Sequence, residues 1–282
     1  MISKISAGRK YLPAALLSAV AFLGVVVVNG LANALPLNGA NTGVLSDEIP
    51  NLFVPAGLTF SIWGLIYLLL AGYIVAVFKE QRRGQDSAWT GRDAALFLIN
   101  MAANIGWIFA WHWRLAGTAM ILMLVILGSL IALEQGNQKK LDSGGPLYPA
   151  APSAEGKGEA PRRFFLTVPL RVYLGWISVA TIANATAVLV KAGWGGFGLD
   201  PRFWTVLVII AGLVVALGFS VWKRQAAAPL VVVWAYAGIV IKRLQTDAQY
   251  SAVVWIAALA AAVLILFSFL PGRVACPFRN KK

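Results

Sequence analysis

Eight stretches of this chain contain no Asp, Glu, Lys or Arg: residues 11–46, 49–78, 94–113, 115–133, 172–190, 203–222, 225–241 and 248–272. An α-helix needs about 20 apolar residues to cross a bilayer. Nearly every run reaches that length, and 225–241 can snorkel its flanking Lys242 and Arg243 to the interface. Lipid offers backbone N–H and C=O groups no partner outside the chain, so each run must close its own hydrogen bonds as a helix. A membrane barrel would show alternating segments of about ten residues, and none is present. The expected fold class is an all-α polytopic membrane protein with eight transmembrane helices, over 12–34, 57–78, 94–113, 115–134, 164–190, 202–222, 226–242 and 249–271. Composition agrees, at 59% hydrophobic and 12% charged residues, against about 25% charged in a soluble domain.

The net charge of +13 could suggest nucleic acid, but its distribution argues otherwise. With the N-terminus inside, eighteen of the 24 Lys and Arg residues fall in inside segments, five outside (Arg114, Lys191, Arg202, Lys242 and Arg243), and Arg171 alone lies in a span. That bias is the positive-inside rule. It predicts a multi-pass protein of the cytoplasmic membrane with both termini cytoplasmic. Its partners are then membrane lipid rather than nucleic acid. Lys4, Arg9 and Lys10 before an apolar run, followed by Leu31-Ala32-Asn33-Ala34, also fit a cleaved signal peptide. The run is long for one, so a retained first helix is expected; cleavage would leave seven.

Between spans, the loop 35–56 is the longest outside segment, and the inside loop 135–163 is rich in Gly, Pro, Ser and charge. The Gly-rich 191–201 has neither the Lys-Ser/Thr nor the preceding strand of a phosphate cradle. It suits a boundary between residues 1–195 and 196–282. The single cysteine, Cys276, reads as a free thiol in a basic tail, and the single histidine, His112, as an interfacial residue between Trp111 and Trp113.

Polar and aromatic residues recur at helical spacing. Phe60, Trp63, Tyr67 and Ala71 share a stripe on span 2; Asn100, Asn104, Trp107 and Trp111 on span 3; Tyr173, Trp176, Ala180 and Asn184 on span 5. Asn29 lies near the outer end of span 1. With the topology above, these stripes meet at one depth under loop 35–56. Interfacial belts account for Trp89, Trp113, Trp194, Trp204 and Trp222. Tyr67 and Trp176 sit too deep for a belt. Two readings stand for them: hydrogen-bonded glue between helices, or the lining of a ligand cavity.

These residues resemble the tryptophan-rich sensory protein family (TspO/MBR, the translocator or peripheral benzodiazepine receptor proteins). Pro55, Phe60, Trp63 and Tyr67 match its span 2 pattern, Asn104 and Trp107 its Asn-x-x-Trp, and Tyr173, Trp176, Ala180 and Asn184 its span 5 pattern in spacing and order. Val172 stands where the family has a proline, Phe60 is one residue too close to Trp63, and loop 35–56 lacks Trp and Tyr. The resemblance covers 1–195 and implies a TspO-like five-helix bundle, with three C-terminal helices added over 196–282. It implies a pocket beneath the first loop for a porphyrin or other hydrophobic small molecule, with no required cofactor. Trp63, Tyr67, Asn104, Trp107, Tyr173, Trp176, Ala180 and Asn184 would be the ligand-binding residues. Flat indole and phenol rings suit a planar macrocycle, and Asn104 and Asn184 could orient its polar edge.

Three other roles follow from the residues themselves. A secondary transporter would suit eight helices, but no Asp or Glu is expected inside a span to couple protons or sodium. An enzyme lacks support: no nucleophile–His–acid set, metal cluster or cofactor fingerprint is present. A structural partner subunit or homodimer could use the alanines of span 8 (Ala257, Ala258, Ala260, Ala261 and Ala262), which allow close helix approach. Arg171 is expected to snorkel to the cytoplasmic interface or pair with a lipid headgroup.

Overall fold

The structure, a computed structural model, describes residues 11–81, 89–142, 159–221, 225–246 and 251–269. Cys276, Trp222, the centre of the inside loop (143–158) and the basic residues at both chain ends lie outside these. Among the described residues there is no strand, and eight helices are long and apolar enough to cross a membrane. They are α1 (Leu12–Ala34), α2 (Ile62–Gln81, entered through a 3-10 turn Gly57–Ser61), α3 (Gly91–His112), α4 (Ala116–Asp142), α5 (Glu159–Lys191), α6 (Pro201–Val221), α7 (Ala227–Thr246) and α8 (Ser251–Ser268).

Local chemistry sets the helix ends. α3 starts three residues before its charge-free run because Thr90 and Asp93 form a capping box: the Thr90 N–H donates to Asp93 Oδ2 at 2.9 Å, and Asp93 N–H donates to Thr90 Oγ1 at 3.5 Å. Pro201 occupies the first position of α6, where its missing N–H costs nothing. α5 stops at Gly193, whose φ of 68° lets Trp194 N–H reach Leu189 O and Gly193 N–H reach Val190 O. α3 closes with the same pair of bonds around Arg114, at φ 59°.

The chain packs as two compact units, Met1–Asn41 with Trp63–Leu174, and Thr42–Ile62 with Gly175–Lys282. α5 therefore supplies its first half to one unit and its second half to the other. The expected division at 195 falls in the connection between α5 and α6.

In the first unit α3 packs against α1 and α4. Its seam with α4 is held by Asn100 Nδ2, which donates to Ile126 O at 3.0 Å and to Ser129 Oγ at 2.9 Å. α2 and α5 approach closely at Gly72, where a Cβ would lie 2.5 Å from the Phe165 ring. Beyond that contact, Arg162 Nη2 donates to Glu80 Oε2 at 2.9 Å, with both side chains buried. Arg171 Nε pairs with Glu134 Oε1 at 3.4 Å. The helices outrun their charge-free runs and bring these carboxylates in with them. Arg171 thus has a protein carboxylate, rather than snorkelling alone or depending on a lipid headgroup. The outward residues of α1 (Leu16, Leu17, Val20, Leu23, Val27 and Leu31) are exposed and apolar, as a lipid-facing stripe requires.

In the second unit the segment 42–62 is folded onto α7. Ala56 N–H donates to Gly238 O at 3.0 Å, Trp234 Nε1–H to Thr59 O at 2.9 Å, and Lys242 Nζ to Asp47 Oδ2 at 2.9 Å. Leu45, Ile49, Phe53 and Val54 are buried, so the loop behaves as a packed element. Tyr236 OH donates to Ile209 O at 2.6 Å and ties α7 to α6. α8 packs on α7 and α6; Ala257 and Ala260 lie on its buried face, while Trp255 and Leu259 point outward. Of the five alanines expected to allow close helix approach, Ala257 and Ala260 are therefore used inside this unit.

Where α5 meets the start of α7, a Cβ on Gly175 would stand 2.6 Å from Ala228 O and 2.9 Å from its Cα. Backbone cannot yield as a side-chain tip does. Gly175→Ala should therefore destabilise the protein by about 1–3 kcal/mol, as overpacking does. Thermal unfolding in detergent checks this, and an unchanged melting temperature would contradict the close approach.

Candidate functional site

Five of the eight sequence-predicted site residues (Trp63, Tyr67, Asn104, Trp107 and Tyr173) lie in the first unit, and Trp63, Tyr67, Asn104 and Tyr173 are linked by direct contacts. Asn104 is the hub. Its Nδ2 donates to Tyr173 OH at 2.8 Å, and its Oδ1 accepts from Asn29 Nδ2 at 3.2 Å. Asn29, Asn104 and Tyr173 are each almost fully buried, so the chain of bonds joins α1, α3 and α5 at one level. Trp63 stacks on Tyr67 with ring centroids 5.5 Å apart and meets the Tyr173 ring edge-on at 5.8 Å. One turn further along α3, Trp107 stacks on Trp111 at 5.6 Å with both rings buried.

Asn100 and Asn104 share a helical stripe, yet their amides serve different neighbours. Asn100 bonds to α4, and Asn104 to α1 and α5. For Asn29, Asn100 and Asn104 the structure thus supports hydrogen-bonded glue. Tyr67 is the exception. Its hydroxyl is enclosed and has no hydrogen-bond partner among the described residues, although its ring lies against Trp63.

The other three residues lie in the second unit. Trp176 is buried, with the Phe60 ring against it edge-on at 5.9 Å. The one-residue offset of Phe60 thus still delivers an aromatic contact, made to α5 from the 3-10 turn. Asn184 Nδ2 donates to Ala180 O of its own helix at 2.9 Å, and Ala180 is half-buried.

His112, expected to be interfacial, ends α3 and is packed against protein. It is fully buried, and Nδ1 lies 2.8 Å from Ile108 O. A carbonyl can only accept, so Nδ1 carries the proton. Asn38, at φ 55°, donates from Nδ2 to His112 O at 2.8 Å and straps the end of α1 over α3. Trp89, expected in an interfacial belt, is likewise buried. Among the described residues no group of His, Cys, Asp and Glu has the arrangement of a metal site.

A polytopic helical membrane protein, with aromatic and amide side chains gathered on α1, α2, α3 and α5, is the class that this geometry defines. A protein family described as TSPO-like protein matches residues 15–270, and the chain belongs to that family. The match runs on through α6, α7 and α8, beyond the five spans that carry the motif resemblance. No curated protein and no solved structure matches.

The hydrogen-bond hub makes a specific energetic claim. Asn104→Leu removes one partner from both Asn29 and Tyr173, and stranding a buried polar group costs about 1–3 kcal/mol. The substitution should lower the unfolding midpoint clearly. The triple variant Asn29→Leu/Asn104→Leu/Tyr173→Phe, which removes every partner, should recover part of that loss. Denaturant unfolding in detergent micelles measures both; equal stability of wild type and Asn104→Leu would remove the hub.

Proposed function

We propose that this protein binds a hydrophobic small molecule in the membrane, a tetrapyrrole being the leading candidate, and acts as its sensor or carrier without catalysing a reaction. The observation that carries the reading is the Tyr67 hydroxyl, enclosed and without a partner among the described residues beside the Trp63 ring. A buried hydroxyl left unsatisfied is unfavourable by about 1–3 kcal/mol. A ligand that brings a polar group to it recovers that free energy, while its flat apolar body gains area on Trp63. Membership of the TSPO-like family and the apolar helix bundle are in keeping with such a ligand.

The roles within the proposed set divide by chemistry. Trp63 and Tyr67 would touch the ligand. Asn104 and Tyr173 would hold the wall against which they stand, and Trp107 would back α3. Trp176, Ala180 and Asn184 enter on the motif resemblance. The distribution of Lys and Arg supports an orientation with both termini in the cytoplasm.

The test is quenching of tryptophan fluorescence by protoporphyrin IX on the purified protein. Tyr67→Phe removes an unsatisfied group, so it should leave stability equal or slightly higher. It should also weaken binding by roughly three- to tenfold, the worth of one neutral hydrogen bond. Trp63→Leu should weaken binding further with little effect on the fold. Saturable binding unaffected by either substitution, or no saturable binding at all, would overturn the reading. Trp176→Phe, run in parallel, reports whether the second unit's aromatic pair contributes.

A further inference from the structure

At Gly72, α2 and α5 are close enough that a Cβ would lie 2.5 Å from the Phe165 ring. About two turns further along α2, Glu80 is tied across to α5 by Arg162, whose Nη2 donates to Glu80 Oε2 at 2.9 Å. Between the ring contact and the ion pair the two helices leave a groove of about 260 Å³. Sites for drug-sized ligands begin at roughly 300 Å³. The groove therefore suits one flexible chain better than a ring system.

The groove is open on its outer side. Val75 is 53% exposed and Phe165 36%, while Ala76 is buried. Both helices are long and apolar enough to span a membrane, so the open side faces lipid. The walls are apolar except at one end, where Lys79, Glu80 and Arg162 gather.

Those charges decide which lipid fits. Glu80 and Arg162 neutralise one another and are buried, with side chains 1% and 7% accessible. They close the end of the groove and add no net charge to it. Lys79 is exposed, and it has no ion-pair or hydrogen-bond partner among the described residues. The polar end of the groove thus carries one net positive charge. An ammonium at the end of an apolar groove, near the membrane–water boundary, complements an acyl chain that carries an anionic headgroup. A zwitterionic headgroup brings its own cation and gains less. The same helix ends adjoin segments in which the sequence concentrates its Lys and Arg residues, and such segments attract anionic lipid.

We propose that this groove is a site for one anionic phospholipid, with its headgroup phosphate at Lys79 and one acyl chain laid over Val75, Ala76 and Phe165. It shares no residue with the Trp63–Tyr67 face and stands whether or not that face binds a tetrapyrrole.

Native mass spectrometry of the full-length protein, titrated in detergent with dioleoyl phosphatidylglycerol or dioleoyl phosphatidylcholine, reads the bound lipid directly. Phosphatidylglycerol should bind saturably and about fivefold more tightly than phosphatidylcholine. Lys79→Gln should weaken phosphatidylglycerol binding about fivefold, the worth of one basic residue at an anionic surface. Lys79→Arg should retain it. Val75→Trp keeps the charge but fills the groove from its exposed side, and it should weaken both lipids. Both positions are exposed, so none of these variants should shift the melting temperature, which separates loss of the site from loss of the fold. Equal affinity for the two lipids would overturn the proposal, as would phosphatidylglycerol binding unchanged in Lys79→Gln or in Val75→Trp.

Discussion

A bilayer core contains no water to satisfy a buried polar group, and the organisation of the first unit follows from that constraint. The Asn29–Asn104–Tyr173 chain of hydrogen bonds joins three helices at one level. Without it the Asn104 amide and the Tyr173 hydroxyl would lose these partners in an apolar surrounding, and Asn29 would keep only its bond to Val25 O at 3.1 Å. With it, α1, α3 and α5 are held in a fixed register, and Tyr173 is positioned so that its ring meets Trp63 edge-on. The Trp63–Tyr67 stack therefore stands on a wall that the amides rigidify. The ion pairs Glu80–Arg162 and Glu134–Arg171 obey the same rule nearer the helix ends. Removing one partner of such a buried pair costs more than the pair itself contributes. The Tyr67 hydroxyl is one of several buried polar groups that break the rule, and it does so beside the Trp63 ring, where the proposed ligand would restore it.

α5 is the element both units share. Tyr173 and Trp176 lie three residues apart on it, yet the first joins the amide chain of one unit and the second meets Phe60 in the other. Gly175 lies between them and lets α7 approach the α5 backbone. In the second unit, α7 gives the segment 42–62 its shape. It accepts a main-chain hydrogen bond at Gly238 O, donates from the Trp234 indole N–H to Thr59 O, and pairs Lys242 with Asp47. The three C-terminal helices thus do more than extend the chain, because one of them anchors the first long loop.

How much of this could be read from the sequence depended on the range of the interaction. Helices were legible because a charge-free run of some twenty residues admits no other structure in lipid. The Asn104 and Tyr173 positions were legible because helical spacing shows which residues share a face. What they bonded to was not, since periodicity gives a direction and not a neighbour: Asn100 and Asn104 sit one turn apart and serve different helices. Glu80 and Glu134 lay just past the charge-free runs, so their pairing with Arg162 and Arg171 depended on helix overrun and on which helices met. The loop 35–56 read as polar punctuation, although Leu45, Ile49, Phe53 and Val54 in and beside it were a signal that it would pack. The groove at Lys79 draws on two segments distant in sequence, and no local pattern announces it.

The most direct measurement of the central claim is photoaffinity labelling in the membrane with a lipophilic diazirine probe, read by peptide mass spectrometry with and without excess protoporphyrin IX. If the Trp63–Tyr67 face is the binding surface, adducts should concentrate on the α2 peptide carrying those two residues and disappear when protoporphyrin IX is present. Adducts spread evenly over lipid-facing residues such as Leu16, Val20 and Leu23, with no displacement by protoporphyrin IX, would contradict it and leave the aromatic stripe as packing alone.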